Sequence, residues 1–446
     1  MANSVPVNGC NGDVDHEERL EVEYVNKSEK FMLPLKHDYN RQFHNLYVAR
    51  CEAMLTAMNE KVQQKWGSKY TVRKIHDLNE EDQEKCVIIG TIFKQQVLKP
   101  SVLKELTKVT HIMPQPIAPS FTDDSDVVML EDELQRVRLF GNIAAHDVVT
   151  GVMCAVLGHI LEQGRFHVDE ILFYESGPQK PLKSLDNSPC IVLVSGLNMT
   201  HADNLHLPLE VFQQWLFGNL WGEECKDFDP SSVVRVILAG NSVKNEDNRV
   251  ESLDLEQQAT ADDINGVKFL DQFIAEISQS VHVDIMPGEF DPTSSLLPQP
   301  PIHMLLLPKS SQLKSCQSVP NPYACEIAGR SILGMSGQNI DDILRYSQIP
   351  DALSALKATF KWGHIVPTCP DTKFAYPILG KDPFVIDDCP HVYFAGNCPE
   401  YQTELIKDSA GRQIRLICVP KFFETKSIVI VNLASLESKL MVFQRE

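Results

Sequence analysis

After residue 180 the chain carries short runs that are apolar at almost every position: Cys190–Ser195 (CIVLVS), Val233–Ala239 (VVRVILA), Val281–Met286, Ile302–Leu307 and His391–Ala395 (HVYFA). A strand with one face in water alternates apolar and polar residues, so runs of this kind must be covered on both faces. Between them lie stretches of helical spacing and crossover length, Leu209–Leu220, Val267–Ser278 and Asp351–Lys361. Strands and helices in that order predict a layered α/β sandwich whose sheets are shielded by helices.

The upstream part reads differently. Residues 1 to about 38 are polar and irregular apart from Phe31–Leu35, which predicts a flexible tail leading into a docking arm. From Asn40 apolar residues recur at Phe43, Leu46, Tyr47, Met54, Leu55, Met58, Val62 and Trp66, the spacing of a helix with Asn40 at its N-cap and Gly67 at its end. Five short strand candidates follow, Cys86–Phe93, Val127–Leu130, Arg136–Ile143, Gly151–Ile160 and Phe166–Phe173. Five strands in about 100 residues fit a small closed barrel of the OB type. The acidic run around Asp123–Glu133 is expected to be a solvated loop. Gly177-Pro178-Gln179-Lys180-Pro181 then reads as a linker, so the expected divisions are 1–38 tail and arm, 39–176 helix plus barrel, and 182–446 α/β domain.

Charge narrows the function. Lys and Arg total 41 against 60 acidic residues, a net −19. Neutralising phosphates supplies most non-specific affinity for nucleic acid, so strong independent binding to it is not expected. The 12 cysteines contain no C-x-x-C, and the nearest pairs, Cys316/Cys325 and Cys389/Cys398, are nine residues apart. Reduced thiols in a cytosolic or nuclear protein are the expectation, with no zinc ribbon and no cofactor. No stretch of about 18 apolar residues points to a membrane.

In a layered α/β protein, chemistry collects in the loops just after strand C-termini. Here these are Ser195-Gly196-Leu197-Asn198, Gly240-Asn241-Ser242-Val243-Lys244, Pro287-Gly288-Glu289-Phe290-Asp291-Pro292 and Gly396-Asn397-Cys398-Pro399. Their order resembles the calcineurin-like metallophosphoesterases, whose strand ends carry D-x-H, G-D-x-x-D, G-N-H-D/E and G-H-x-H. Those residues hold two metal ions about 3.5–4 Å apart that activate water and clamp a phosphate. Set on that pattern, the D-x-H pair falls on Gly196 and Asn198, the bridging Asp on Asn241, and its companion acid on Lys244. The ligand Asn falls on Glu289 and the catalytic His on Phe290, with Asp291 kept in kind, and the last two histidines fall on Asn397 and Pro399. Gly, Phe and Pro offer no side-chain donor and Lys repels a cation, so the pattern implies a lost metal centre. Glu289 and His364 are the positions where some coordination could persist.

Six ordered strings sharpen the resemblance: LVSGLNM (Leu193–Met199), RVILAGNSV (Arg235–Val243), MPGEFDPT (Met286–Thr293), SGQNIDDILRY (Ser336–Tyr346), HIVPTCPDT (His364–Thr372) and PHVYFAGN (Pro390–Asn397). With EDELQRVRL (Glu131–Leu139) and LPQP (Leu297–Pro300), they are similar to the second, or B, subunits of eukaryotic DNA polymerases, the delta branch most of all. The similarity runs from about Asn40 to about Val431. It implies an N-terminal OB-type β-barrel joined to a calcineurin-like phosphoesterase sandwich lacking its metal ligands, and a nuclear, non-catalytic accessory subunit in DNA replication and repair. It further implies a scaffold that holds the cysteine-rich C-terminal region of the delta catalytic subunit and a third subunit that recruits the sliding clamp, with the zeta polymerase as a second assembly.

Blander roles stand beside these. Met286–Pro292 reads as a rigid proline-flanked turn, and Asn339 or Asp341 as the cap of a helix over Ile340–Leu344. The cluster Trp215, Phe217 and Trp221 is a candidate interface anchor if part of it is exposed. Phe93, Phe140, Phe166 and Phe173 of the barrel are expected in its core, with no basic–aromatic alternation. The rival functions are a metal-dependent phosphodiesterase or nuclease with a rearranged site, and a single-strand binder built on the barrel.

Overall fold

A computed structural model of the 446-residue chain describes residues 19–34, 40, 42–80, 84–100, 120–200, 205–220, 229–244, 261–407 and 411–443. The first described segment docks lengthwise on the α/β domain. Arg19 donates to the carbonyls of Pro230, Val233 and Leu216, and β1 (Tyr24–Asn26) pairs antiparallel with Cys325–Ile327. The Tyr24 ring covers the Arg235 guanidinium, 3.7 Å from its centroid. Arg235 is nearly buried and pairs with Asp284, whose carboxylate also accepts from Tyr323 Oη and Gln317 Nε2. Phe31 is fully buried. Docking therefore starts earlier than the expected Phe31–Leu35, and Leu35 lies outside the described residues.

Helix α1 (His44–Trp66) begins four residues after Asn40, with Phe43 at its N-cap and no side-chain cap. Gly67 ends it with φ +62°, a conformation glycine adopts without strain. Met54, Met58 and Val62 of α1 pack on Val87, Met153, Ala155 and Leu157 of the barrel.

The barrel comprises β2 (Thr71–Arg73), β3 (Cys86–Gln95), β4 (Val127–Glu131), β5 (Arg136–Gly141), β6 (Met153–Leu161) and β7 (Arg165–Phe173). Strand β3 pairs with β6 through Cys86–Thr91 and with β4 through Thr91–Gln95, so one long strand closes the ring β3-β4-β5-β7-β6. That closure is the OB arrangement. The five expected strands are all present, with ends displaced by one or two residues. Within the acidic run, Asp126 is a correction: it is buried, 3.4 Å from the ammonium of buried Lys94.

The α/β domain contains β8 (Cys190–Val194), α2 (His206–Leu216), β9 (Val233–Ala239), α3 (Ala261–Ile277), β10 (His282–Met286), β11 (Cys316–Ser318), β12 (Tyr323–Ile327), β13 (Arg330–Met335), α4 (Gln338–Tyr346), α5 (Ala352–Trp362), β14 (Val392–Cys398), β15 (Gln402–Lys407), β16 (Gln413–Pro420), α6 (Phe422–Thr425), β17 (Ser427–Asn432) and β18 (Ser438–Val442). They form two six-stranded sheets, β11-β10-β9-β8-β17-β18 and β1-β12-β13-β14-β16-β15. Strand β8 shows why its sequence is apolar throughout. Ile191 and Leu193 face the second sheet with Phe394 and Ile417, whereas Val192 and Val194 face α2 and α3 through Phe212, Trp215 and Phe273.

One expected strand of this domain does not form. Ile302–Leu307 is not a strand: Met304–Leu306 form a single 3-10 turn, with Leu305 78% exposed. Pro298, Pro300, Pro301 and Pro308 bracket the run and withhold backbone donors, which a ladder requires. Barrel and sandwich also share a core. One buried apolar cluster extends from Ile92 and Val149 of the barrel domain to Leu356, Ile365 and Phe384.

Candidate functional site

The strand-end loops converge, as their positions in the sheets require. Gly196 N donates to Gly240 O at 2.9 Å, and Asn198, Met199 and Thr200 continue that ladder onto Asn241, Ser242 and Val243. Gly196, Asn198, Asn241 and Asn397 all adopt positive φ, between +52° and +61°. For non-glycine residues this region is uncommon, and Asn tolerates it best.

The packing is backbone against backbone. A Cβ on Gly288 would lie 2.3 Å from Asn241 N, one on Gly396 2.4 Å from Ala239 O, and one on Gly337 2.0 Å from Gly396 O. These glycines thus permit the loops to touch one another.

The polar side chains there are spent on the loops themselves. Asp291 is nearly buried, its Oδ1 accepting from Val243 N at 2.8 Å and its Oδ2 from Gly288 N at 2.8 Å and Ser242 N at 3.2 Å. Burial pushes its carboxyl up, against the pull of those amide donors. Asn241 Oδ1 accepts from Phe290 N, and Asn198 Oδ1 from Thr200 Oγ1 at 2.9 Å. Asn397 Nδ2 donates to Ser336 O and Ala239 O, while its backbone N–H goes to Ser195 Oγ. Asn397 Oδ1 is buried without a partner among the described residues.

Glu289 lies 2.7 Å from the Lys373 ammonium, and Lys244 is 3.9 Å from Asp263. Phe290 is half-buried and Pro399 exposed just past β14. Beneath the loops a buried amide network missed by sequence reasoning joins Asn321 to Gln299, Ser336 and Gln338, and Gln299 Nε2 holds Gly288 O at 2.9 Å.

His364 belongs to another constellation. Its Nε2 meets Asp382 Oδ2 at 2.9 Å and its Nδ1 accepts from Val366 N, which makes the ring neutral with the proton on Nε2. The same carboxylate oxygen accepts from Arg50 Nε at 2.7 Å. Burial first, with the Arg50 charge adding to it, pushes His364 down to about 4. Burial alone would raise Asp382, but His364 and Arg50 outweigh it and hold the carboxyl below the usual range.

Two further expectations need correcting. Trp215 is fully buried against Phe212 and Phe443, so it is a core residue of α2 and no exposed anchor. Phe217 is half-buried, and Trp221 lies outside the described residues. Neither Asn339 nor Asp341 caps α4: Gly337 occupies that position with no side-chain cap, and Asn339 Nδ2 donates to Ile365 O.

The barrel also departs from expectation. Phe166 and Phe173 are buried as anticipated, but Arg136, Arg138 and Phe140 alternate on the exposed face of β5. Arg138 and Arg165 are cross-strand partners whose guanidiniums lie 5.9 and 5.6 Å from the Phe140 ring, and Arg136 covers Phe93. The R-x-R-x-F spacing, read at period two, was the available signal.

Comparison with known proteins matches both halves. Residues 191–403 fit the B-subunit family of DNA polymerases alpha and epsilon, and residues 42–171 the DNA polymerase delta subunit OB-fold domain. The chain is 43% identical to DNA polymerase delta subunit 2 of Drosophila melanogaster, over 95% of this chain and 98% of that one. Identity is 35% with the DNA polymerase delta small subunit of Arabidopsis thaliana, over 96% and 97% of the two chains. It is 33% with that of Saccharomyces cerevisiae, over 93% and 92%.

Proposed function

The chain belongs to the DNA polymerase delta small-subunit family, accessory subunits of that polymerase, and from this premise we propose that it is a non-catalytic scaffold in the nuclear replication and repair machinery. It bridges the cysteine-rich C-terminal region of the catalytic subunit and a third subunit that recruits the sliding clamp.

The observation that carries this reading is the state of the strand-end loops. A two-metal phosphoesterase needs a cluster of converging anionic and imidazole donors around an open position. Here both Asp291 oxygens are taken by backbone amides, Glu289 is paired with Lys373, and the other positions are Gly, Asn, Lys, Phe and Pro. We therefore read the phosphoesterase-like domain as having lost its metal centre while keeping the loop geometry as a rigid frame.

The test is co-expression with the cysteine-rich C-terminal region of the delta catalytic subunit, followed by gel filtration and native mass spectrometry. A stoichiometric complex is expected. Separate elution, or manganese-dependent cleavage of bis-p-nitrophenyl phosphate by the chain alone, refutes the scaffold reading.

A second reading has one observation in its favour. Two arginines directly opposite each other across β5 and β7, flanking an exposed Phe140, suit a phosphate and a stacked base. Arg138→Glu should then weaken single-stranded oligonucleotide binding by the assembled polymerase in fluorescence anisotropy at low salt. Unchanged binding removes this reading.

A further inference from the structure

A different cluster on the barrel is used by none of the roles above. His159 of β6 and His167 of β7 are direct cross-strand partners, and Asp169, the extra residue of a β-bulge two positions beyond His167, brings its carboxylate to the same side, 3.5 Å from the His167 ring. The imidazoles stack with centroids 5.1 Å apart. One donor atom from each of the three side chains lies within 4.8 Å of the other two.

Their hydrogen bonding is incomplete. Nδ1 of both His159 and His167 is buried and has no hydrogen-bond partner among the described residues. Buried imidazole nitrogens are ordinarily satisfied, so two orphans at one spot call for a ligand that takes lone pairs from both. The carboxylate is already aimed. Lys85 Nζ holds Asp169 Oδ2 at 2.9 Å, which leaves Oδ1 turned toward the rings, 3.5 Å from His167 Nδ1. An outer partner that orients a ligating group in this way is typical of metal sites. Gly141, with φ +95°, adds room: a Cβ there would sit 3.0 Å from His167 Nε2.

We propose that His159, His167 and Asp169 form a binding site for one divalent transition-metal ion, with zinc the best match. Two neutral imidazoles and one carboxylate are a borderline donor set that suits zinc, cobalt or nickel and disfavours calcium and magnesium, which demand more oxygen ligands. Tetrahedral zinc needs donors about 3.3 Å apart, given its usual bond lengths of about 2.0–2.1 Å, so modest side-chain rotations close the set. All three side chains are only partly buried, which leaves a fourth position for water or for a donor from another chain.

The experiment uses the full chain, stripped with a chelator and titrated with zinc by calorimetry and with cobalt by visible absorption. One ion is expected to bind with a cobalt spectrum free of thiolate charge-transfer bands. His159→Gln and His167→Gln should each weaken that binding by more than about tenfold, the loss typical of disrupting a metal site's support. Glutamine keeps most of the volume at these half-exposed positions, and far-ultraviolet circular dichroism verifies the fold. The inference is overturned if the doubly substituted chain binds zinc as tightly as the unsubstituted one, or if cobalt reports thiolate ligation.

Discussion

Arg50 donates its Nε–H to Asp382 Oδ2 at 2.7 Å with both side chains fully excluded from solvent. Arg50 comes from α1, beside the barrel, and Asp382 from the α/β domain, so this pair pins the two together. The rest of the guanidinium is satisfied by the carbonyls of Gly151, Pro367 and Cys369. A buried charge is tolerable only when partners replace its lost hydration, and here four hydrogen bonds from one side chain do so.

Arg50→Met should destabilise the chain by about 3–5 kcal/mol, because it strands the Asp382 carboxylate and three carbonyls in the interior. Arg50→Lys should recover little, since an ammonium cannot reproduce the fork. Urea unfolding measures both, and adding Asp382→Asn to Arg50→Met should cost much less than the sum of the single changes.

Acid should loosen the same junction. His364 titrates at about 4 in the folded chain against 6.5 in a model peptide, so between those values the unfolded state binds more protons and stability falls as pH drops from about 6.5 to 4. The depressed Asp382 acts in the same direction at lower pH, its contribution being lost as pH falls through its folded value. Denaturation midpoints at pH 7 and pH 5 should therefore differ, and His364→Gln should shrink the difference. An unchanged difference in that variant contradicts the assignment.

Asp291→Asn should cost about 1–3 kcal/mol although it is nearly isosteric. An amide cannot accept from Val243 on one side and from Gly288 and Ser242 on the other, because one of its two heads is itself a donor. The loss is read from the urea midpoint. A purely electrostatic role, insensitive to geometry, predicts recovery with Glu, whereas the amide cradle predicts none.

Gly196→Asp combined with Asn241→Asp rebuilds two acidic positions and should restore no manganese-dependent hydrolysis of bis-p-nitrophenyl phosphate. The Asn241→Asp change keeps an acceptor oxygen for Phe290 N, but position 196 has φ +61°, so the pair should lose about 1 kcal/mol of stability through strain. Measurable turnover overturns the reading of the loops as a frame.

Much of the fold was legible in local patterns. The both-face apolar runs of β8, β9, β10 and β14 required covering layers, and the barrel strands showed themselves as short apolar runs between turn-rich pieces. The run at Ile302–Leu307 misled because composition resembles a strand while the surrounding prolines deny the ladder. The helix cap at Asn339 misled because its side chain found a distant carbonyl, that of Ile365. The exposed face of β5 was in plain view at period two, and the His159/His167 pair could have been found by folding the two strands about the turn at 162–164.

By itself the chain determined which segments could be strands or helices, which loops would gather at the strand ends, and which ligand types those loops lack, because each depends on residues close in sequence. Tertiary structure alone decided that Asp291 serves backbone amides, that Arg50 meets Asp382 across 332 positions, and that two imidazoles stack beside a carboxylate. These outcomes depend on distances between strands and domains, and such distances follow from how whole layers pack.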